Sequence, residues 1–186
     1  MQVSKCIGCV DFPCQDVDKG CYEIPDIEIE PGRIRALMIS EAPPQDPNDY
    51  FYAQSTSSYF QTTAQAFRDA GVNVSTILDV LKLGVYVTTA IKCGKTAYFI
   101  SLKTINNCSK ILRKEIGLFP HVKSILLMGD TAIKSINYIA KRDTGKSIIP
   151  SGSTYKIRKS RYYYAKMRIF PSYLQTGKSY LIEKSK

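Results

Sequence analysis

The chain has 186 residues, 44% hydrophobic and 23% charged, with a formal net charge of +10. That length and balance fit one domain that buries its own core, and they exclude a disordered or low-complexity chain. No apolar run approaches the ~20 residues of a membrane-spanning helix and no signal peptide opens the sequence, so a cytoplasmic protein with no membrane partner is expected.

Residues 1–32 are acidic and rich in cysteine. Asp11, Asp16, Asp18, Glu23, Asp26, Glu28 and Glu30 stand against Lys5 and Lys19, a local −5. Cys6-x-x-Cys9, Pro13, Cys14, Gly20, Cys21, Pro25 and Pro31-Gly32 interrupt the segment too often for a long helix. Ile27 and Ile29, alternating with Glu28 and Glu30, read as a short edge strand. So little apolar surface needs something besides burial to fix it, and cysteines in an intracellular chain are more often metal ligands or buried thiols than disulfides.

The next stretch, I-R-A-L-M-I-S-E-A-P-P-Q-D from Ile34 to Asp46, organises the rest. Its apolar first half reads as a strand buried on both faces. Pro43 and Pro44 end it, because proline cannot donate to a ladder and restricts the residue before it. Glu41 is thereby left at the carboxyl end of a buried strand, where open α/β sheets bind ligands. It is either a carboxylate held for chemistry or a plain cap or ion-pair partner.

Pro47 to Ser58 is a loop whose centre, Asp49-Tyr50-Phe51-Tyr52, either covers the core or offers stacking surface. Phe60, Ala64, Phe67 and Ala70 predict a helix over 59–70 that stops at Gly71, and Ser75 or Thr76 caps a short helix running to Leu83. V-Y-V-T-T-A-I, residues 85–91, is a second buried strand, left through Lys92-Cys93-Gly94-Lys95. A helix over 104–116 carries Ile105, Cys108, Ile111, Leu112 and Ile116 on one face. Ser124 to Met128 is the third strand, and Gly129-Asp130 opens a helix bearing Ile133, Ile136 and Ile139. Ser147 to Ile157 reads as irregular or hairpin, and Arg161 to Phe170 as a fourth and last strand ended by Pro171-Ser172. Strands alternating with helices predict a mainly parallel, four-stranded sheet with right-handed crossovers.

Two motifs carry little. Ala140-x-x-x-x-Gly145-Lys146-Ser147 fits a loose phosphate loop, but such a loop joins a strand to a following helix and this one follows a helix. His121 is the single histidine, which argues against histidine metal clusters and Ser-His-Asp catalysis. The cysteines carry more. Cys6 and Cys9, with the C-x14-C pair Cys93 and Cys108, can converge four thiolates on zinc or an iron–sulfur cluster. The other possibility is a local site of Cys6, Cys9, Cys14 and Cys21. Residues 141–186 hold twelve Lys or Arg against Asp143 and Glu183, a local +10, interleaved with tyrosines. Lys156, Arg158, Lys159 and Arg161 form its densest run. That pattern suits a nucleic acid, or a basic face kept for solubility.

Several pieces, in order, resemble the iron–sulfur branch of the uracil-DNA glycosylase superfamily. That branch has C-x-x-C, a strand ending G-E-A-P-G, a helix closing A-G-I, a strand V-Y-I-T-N-V-V-K-C, a further cysteine, L-G-x-x-A, and a final H-P-S. Here stand Cys6-x-x-Cys9, Ser40-Glu41-Ala42-Pro43-Pro44, Asp69-Ala70-Gly71-Val72, Val85 to Cys93, Cys108, Leu127 to Ala132, and Phe170-Pro171-Ser172. The resemblance implies one domain over 1–186, a three-layer α/β/α sandwich, acting as a monomeric DNA-repair glycosylase on single- or double-stranded DNA. It implies that a damaged base, uracil or another deaminated base, is flipped and cut from its sugar, with Glu41 activating water. Ala42, Pro43, Tyr50, Phe51, Thr89 and Phe170 are the implied base pocket. Pro171 and Ser172 would meet DNA beside the basic run, and Cys6, Cys9, Cys93 and Cys108 would hold a 4Fe-4S cluster, or else zinc. Two positions depart from the pattern. Thr89 replaces an asparagine amide and Phe170 a histidine, removing donors whose loss typically costs on the order of 10²–10³ in rate. A weak or inactive nucleic-acid-binding member of the fold is the alternative.

Overall fold

The computed structural model describes residues 1–174. Its strands are β1 (Val17–Asp18), β2 (Ala36–Ser40), β3 (Val85–Thr89), β4 (Gly94–Lys95), β5 (Ser124–Met128), β6 (Tyr162–Tyr164) and β7 (Met167–Ser172). Its helices are α1 (Ser58–Asp69), α2 (Ile77–Lys82), α3 (Leu102–Gly117), α4 (Asp130–Thr144) and α5 (Thr154–Ile157).

The main sheet has five strands in the order β3-β2-β5-β7-β6, all parallel except β6 at the edge. The expected count of four is corrected because the last stretch is a hairpin. Ala165 turns it with φ at 50°, so β6 folds back antiparallel on β7. Nor do Ile27 and Ile29 form an edge strand; Glu28 makes one isolated bridge to Gln2.

Alternation along the strands divides the core. Leu37, Ile39, Tyr86, Ile125, Leu127 and Ile169 pack with Leu112 and Ile116 of α3 and Ile136 and Ile139 of α4. Met38, Val87 and Met128 join the opposite cluster with Phe60 and Ala64 of α1 and Val80 of α2. Both sets are buried, which is why the strands read as continuous apolar runs. Helix starts follow capping chemistry. Ser57 and Ser101 accept from the backbone N–H three residues on, and Thr76 and Asp79 form a reciprocal box. Gly145, in left-handed conformation, ends α4, so Gly145-Lys146-Ser147 closes a helix and opens none.

The cysteine-rich segment is bound by more than burial. Val3, Ile7 and Ile29 reach the core, and β1 pairs antiparallel with β4 at the exit from the β3 strand. The Asp16 carboxylate accepts from Ser101 N at 2.7 Å and from the Thr104 hydroxyl, crossing to the start of α3. Burial alone would raise its pKa, but those hydrogen bonds outweigh burial and hold it below the usual range.

Beneath this junction, Lys92 is fully buried and pairs with Glu115 of α3 at 2.5 Å. Lys92 also donates to Thr88 Oγ1 and the Thr89 carbonyl, and Glu115 accepts from the Tyr86 and Thr88 hydroxyls at 2.7 and 2.9 Å. Every charge is met, which a buried ion pair requires. Among the described residues no helix is long and apolar enough to cross a membrane.

Candidate functional site

Glu41 follows the last residue of β2 at the carboxyl edge of the parallel strands. Its Oε1 accepts from the Thr131 backbone N–H at 3.1 Å, in the first turn of α4, and its Oε2 meets Lys95 Nζ at 3.2 Å. A carboxylate is favoured at a helix N-terminus by the exposed N–H groups and the dipole. The helix can come this close because residue 129 is glycine. Gly129 has φ at 101°, and a Cβ there would lie 2.7 Å from Glu41 Oε1. Gly129→Ala is therefore expected to push the carboxylate out of place and to cost roughly 1–3 kcal/mol in backbone strain. Urea denaturation measures the second effect and a crystal structure of the variant the first.

Beside Glu41 lies a cavity of about 400 Å³, lined also by Lys95, Tyr98, Phe99, Thr131 and Tyr173. Tyr98 and Phe99 are 81% and 79% exposed, with ring centroids 4.7 Å apart in an edge arrangement. Lys95 Nζ sits 5.4 Å from the Tyr98 ring centre. Tyr98 and Lys95 also border an adjoining open cleft with Pro43, Pro44 and Tyr59.

Most of the base pocket expected from the sequence stands elsewhere. Ala42, Tyr50 and Phe51 are buried, the last two in the core under α1. Tyr50 and Phe51 thus cover the core and bring no ring to the Glu41 cavity, and burial drives the Tyr50 hydroxyl pKa well up. Thr89 is sealed from solvent beneath the sheet edge. Pro43 lines only the neighbouring cleft. Phe170 lies mid-strand opposite Leu126, in a shallow hollow with Ala66 and Phe67, its ring 5.1 Å from the Arg168 guanidinium.

Pro171 and Ser172 are likewise corrected from a DNA-facing loop to the buried end of β7, opposite Leu127 and Met128. Proline is tolerated there because β6 pairs no further than Ile169, leaving that side of the strand without a ladder to feed. The Ser172 carbonyl accepts from Gly129 N at 3.0 Å and so helps to set the glycine turn beneath Glu41. Tyr173 and Leu174, next in the chain, reach the cavity in its place.

Lys95, Tyr98, Phe99 and Tyr173 are thus the cavity residues that the sequence reading missed. The available signal was two adjacent aromatics, Tyr98-Phe99, in a segment with no helical or strand period, just before the Ser101 cap. Of the basic run, Lys156, Lys159 and Arg161 are exposed and Arg158 is half-buried, on and after α5. Lys159 Nζ lies 4.7 Å from the Tyr155 ring centre, and Thr154 of the same short helix lines the Glu41 cavity. Lys178, Tyr180, Lys184 and Lys186, part of the same basic expectation, lie outside the described residues.

A second cavity, about 290 Å³, lies between the cysteine-rich segment and α3. Cys9, Cys14, Cys93 and Cys108 line it, with Lys19, Lys110 and Lys114 beside them. The expected set is altered at one place: Cys14 stands where Cys6 was expected. Val3 and Ile7, one turn apart around the short helical turn Val3–Lys5, are both buried, which turns Cys6 outward, where its thiol donates to the Gln2 carbonyl. Cys21 also faces away, toward Asp18 and Gln45. Burial pushes the Cys93 thiol up to about 12 and the Cys108 thiol up to about 11, with the neighbouring thiols adding to both. The Lys92 backbone N–H donates to Cys108 Sγ at 3.3 Å, a bond of the kind that stabilises a ligating thiolate. No three Cys, His, Asp or Glu side chains among the described residues meet at a single-ion distance.

No protein-family model matches the chain, and no curated protein matches its sequence.

Proposed function

We propose that this protein is a DNA glycosylase that takes a flipped, deaminated base at the Glu41 cavity and hydrolyses its bond to the sugar. The observation that carries the reading is the carboxylate itself, held at 3.1 Å by a helix N-terminus on the edge of a cavity of about 400 Å³ at the strand ends. In this reading the α/β chain is a three-layer sandwich of the uracil-DNA glycosylase kind, and the ordered sequence resemblance supports it. Glu41 orients a water toward the sugar carbon and stabilises the positive charge that develops as the base departs. Tyr98, Phe99 and Tyr173 supply the apolar walls that Tyr50 and Phe51 do not. The basic residues around α5 meet phosphates beside the cavity.

Cys9, Cys14, Cys93 and Cys108 are the residues that fit a 4Fe-4S cluster. Their thiols ring a space and do not close on a point, which suits a cluster better than one zinc ion, and the three bordering lysines would offset the negative charge that four thiolates bring to either centre. Such a cluster would fasten the amino-terminal segment to the sheet edge.

The experiment is base release from oligonucleotides carrying uracil, hypoxanthine or mismatches, read as alkali-labile breaks. Release is expected from the wild type and a loss of about 10²–10⁴-fold in Glu41→Gln. A second reading, DNA binding without catalysis, is favoured by one observation: Thr89 and Phe170 bring no polar group to the cavity. Salt-sensitive binding with no release from any of the substrates would establish it in place of the first.

A further inference from the structure

Two large aromatic side chains stand almost fully in solvent on one rim of the Glu41 cavity. Exposed rings of this size next to one another mark a surface that is covered in use. Tyr98 belongs both to that cavity and to the open cleft beyond it, so the pair forms a lip between two connected hollows. Thr154, also in the cavity lining, leads directly into Tyr155, 46% exposed, with Lys159 over its ring. Ring and ammonium thus occur together twice, Lys95 by Tyr98 on the cavity rim and Lys159 by Tyr155 on the helix that lends Thr154 to the cavity wall.

We infer that this lip is a stacking platform for unpaired bases, and that the protein takes its substrate as single-stranded DNA. The inference rests on the glycosylase reading for its choice of nucleic acid. Flat rings gain from a base only when its π-face is free, which is true of single strands and not of a stacked duplex. Rings with lysines beside them suit a strand of alternating bases and phosphates, and the exposed Lys156, Lys159 and Arg161, on and after the helix that carries Thr154, add positive charge for its backbone. A base that is already unstacked also enters the cavity without the cost of extrusion. That saving is valuable to a site to which Thr89 and Phe170 bring no polar group.

The test is fluorescence anisotropy with a labelled oligothymidylate and with the same oligonucleotide paired to its complement, at one fixed salt concentration. The single strand is expected to bind at least about tenfold more tightly than the duplex. Tyr98→Ala and Phe99→Ala are expected to weaken single-strand binding by roughly tenfold each, and Tyr98→Phe, which keeps the ring, to retain it. Both side chains are exposed, and circular dichroism checks that each variant folds. Equal affinity for the duplex overturns the inference, as does unchanged single-strand affinity in the alanine variants. The glycosylase reading is scored separately on uracil-containing strands. Glu41-dependent release without single-strand preference sinks the lip alone, and ring-dependent single-strand binding without release sinks the glycosylase alone.

Discussion

Lys92→Met is expected to destabilise the protein by about 3–5 kcal/mol, because it strands the Glu115 carboxylate in the core with no cation. Lys92 has no exposure and Glu115 1%. Breaking one member of such a pair costs far more than replacing both, since the survivor keeps its full desolvation penalty. The double variant Lys92→Met with Glu115→Gln removes both charges while the amide oxygen still accepts from the Tyr86 and Thr88 hydroxyls, so it is expected to recover most of the loss. Urea midpoints at constant slope measure all three proteins. A single variant within about 1 kcal/mol of wild type would mean that Glu115 reaches water or another cation. The pair matters to both candidate sites, since Lys92 is followed by Cys93 and Lys95 and its backbone N–H bonds Cys108. The polypeptide that leaves β3 is thereby fixed before it supplies a thiol to one cavity and an ammonium to the other.

The sheet was legible in the sequence because its central strands are buried on both faces. Leu37 to Ile39 and Tyr86 to Val87 are unbroken apolar runs, with the hydroxyl residues Ser40, Thr88 and Thr89 only at the strand ends, and helix periods and caps such as Ser101 mark what lies between them. The hairpin at Ala165 was not legible, since alanine carries no turn signal and the left-handed conformation there is imposed by pairing of β6 on β7. Glu41 was legible through the two prolines after it. Its surroundings were not, because cavity walls come from loops with no period of their own. Tyr50 and Phe51 resemble a stacking loop in sequence, and only the packing of α1 against the sheet decides that they face inward. The cysteine spacing likewise points to the Cys6-x-x-Cys9 pair, and only the burial of Val3 and Ile7, which fixes the direction of the first turn, leaves Cys14 at the cavity in place of Cys6.

That choice between thiols yields the sharpest chemical prediction. After anaerobic reconstitution with iron and sulfide, Cys14→Ser, Cys93→Ser and Cys108→Ser are each expected to lose the visible chromophore and its iron, while Cys6→Ser keeps both. A chromophore that survives Cys14→Ser and vanishes in Cys6→Ser would restore the C-x-x-C pair as ligand and refute the arrangement seen here. The pH dependence follows from the thiols. Burial raises Cys93 to about 12 and Cys108 to about 11 in the metal-free protein, so both stay protonated at neutral pH and metal must displace those protons. Affinity is therefore expected to rise with pH until the thiols ionise unaided, and proton release on binding, followed in weakly buffered solution, checks the sign. The metal-free protein should carry the complementary signature. Between the ordinary thiol value of 9.0 and about 12, the unfolded chain gains thiolates that the folded one resists, so stability is full below that window and falls as pH rises through it. If the proposed cluster binds, loading is expected to remove the decline, because thiols that ligate it are already ionised in the folded state.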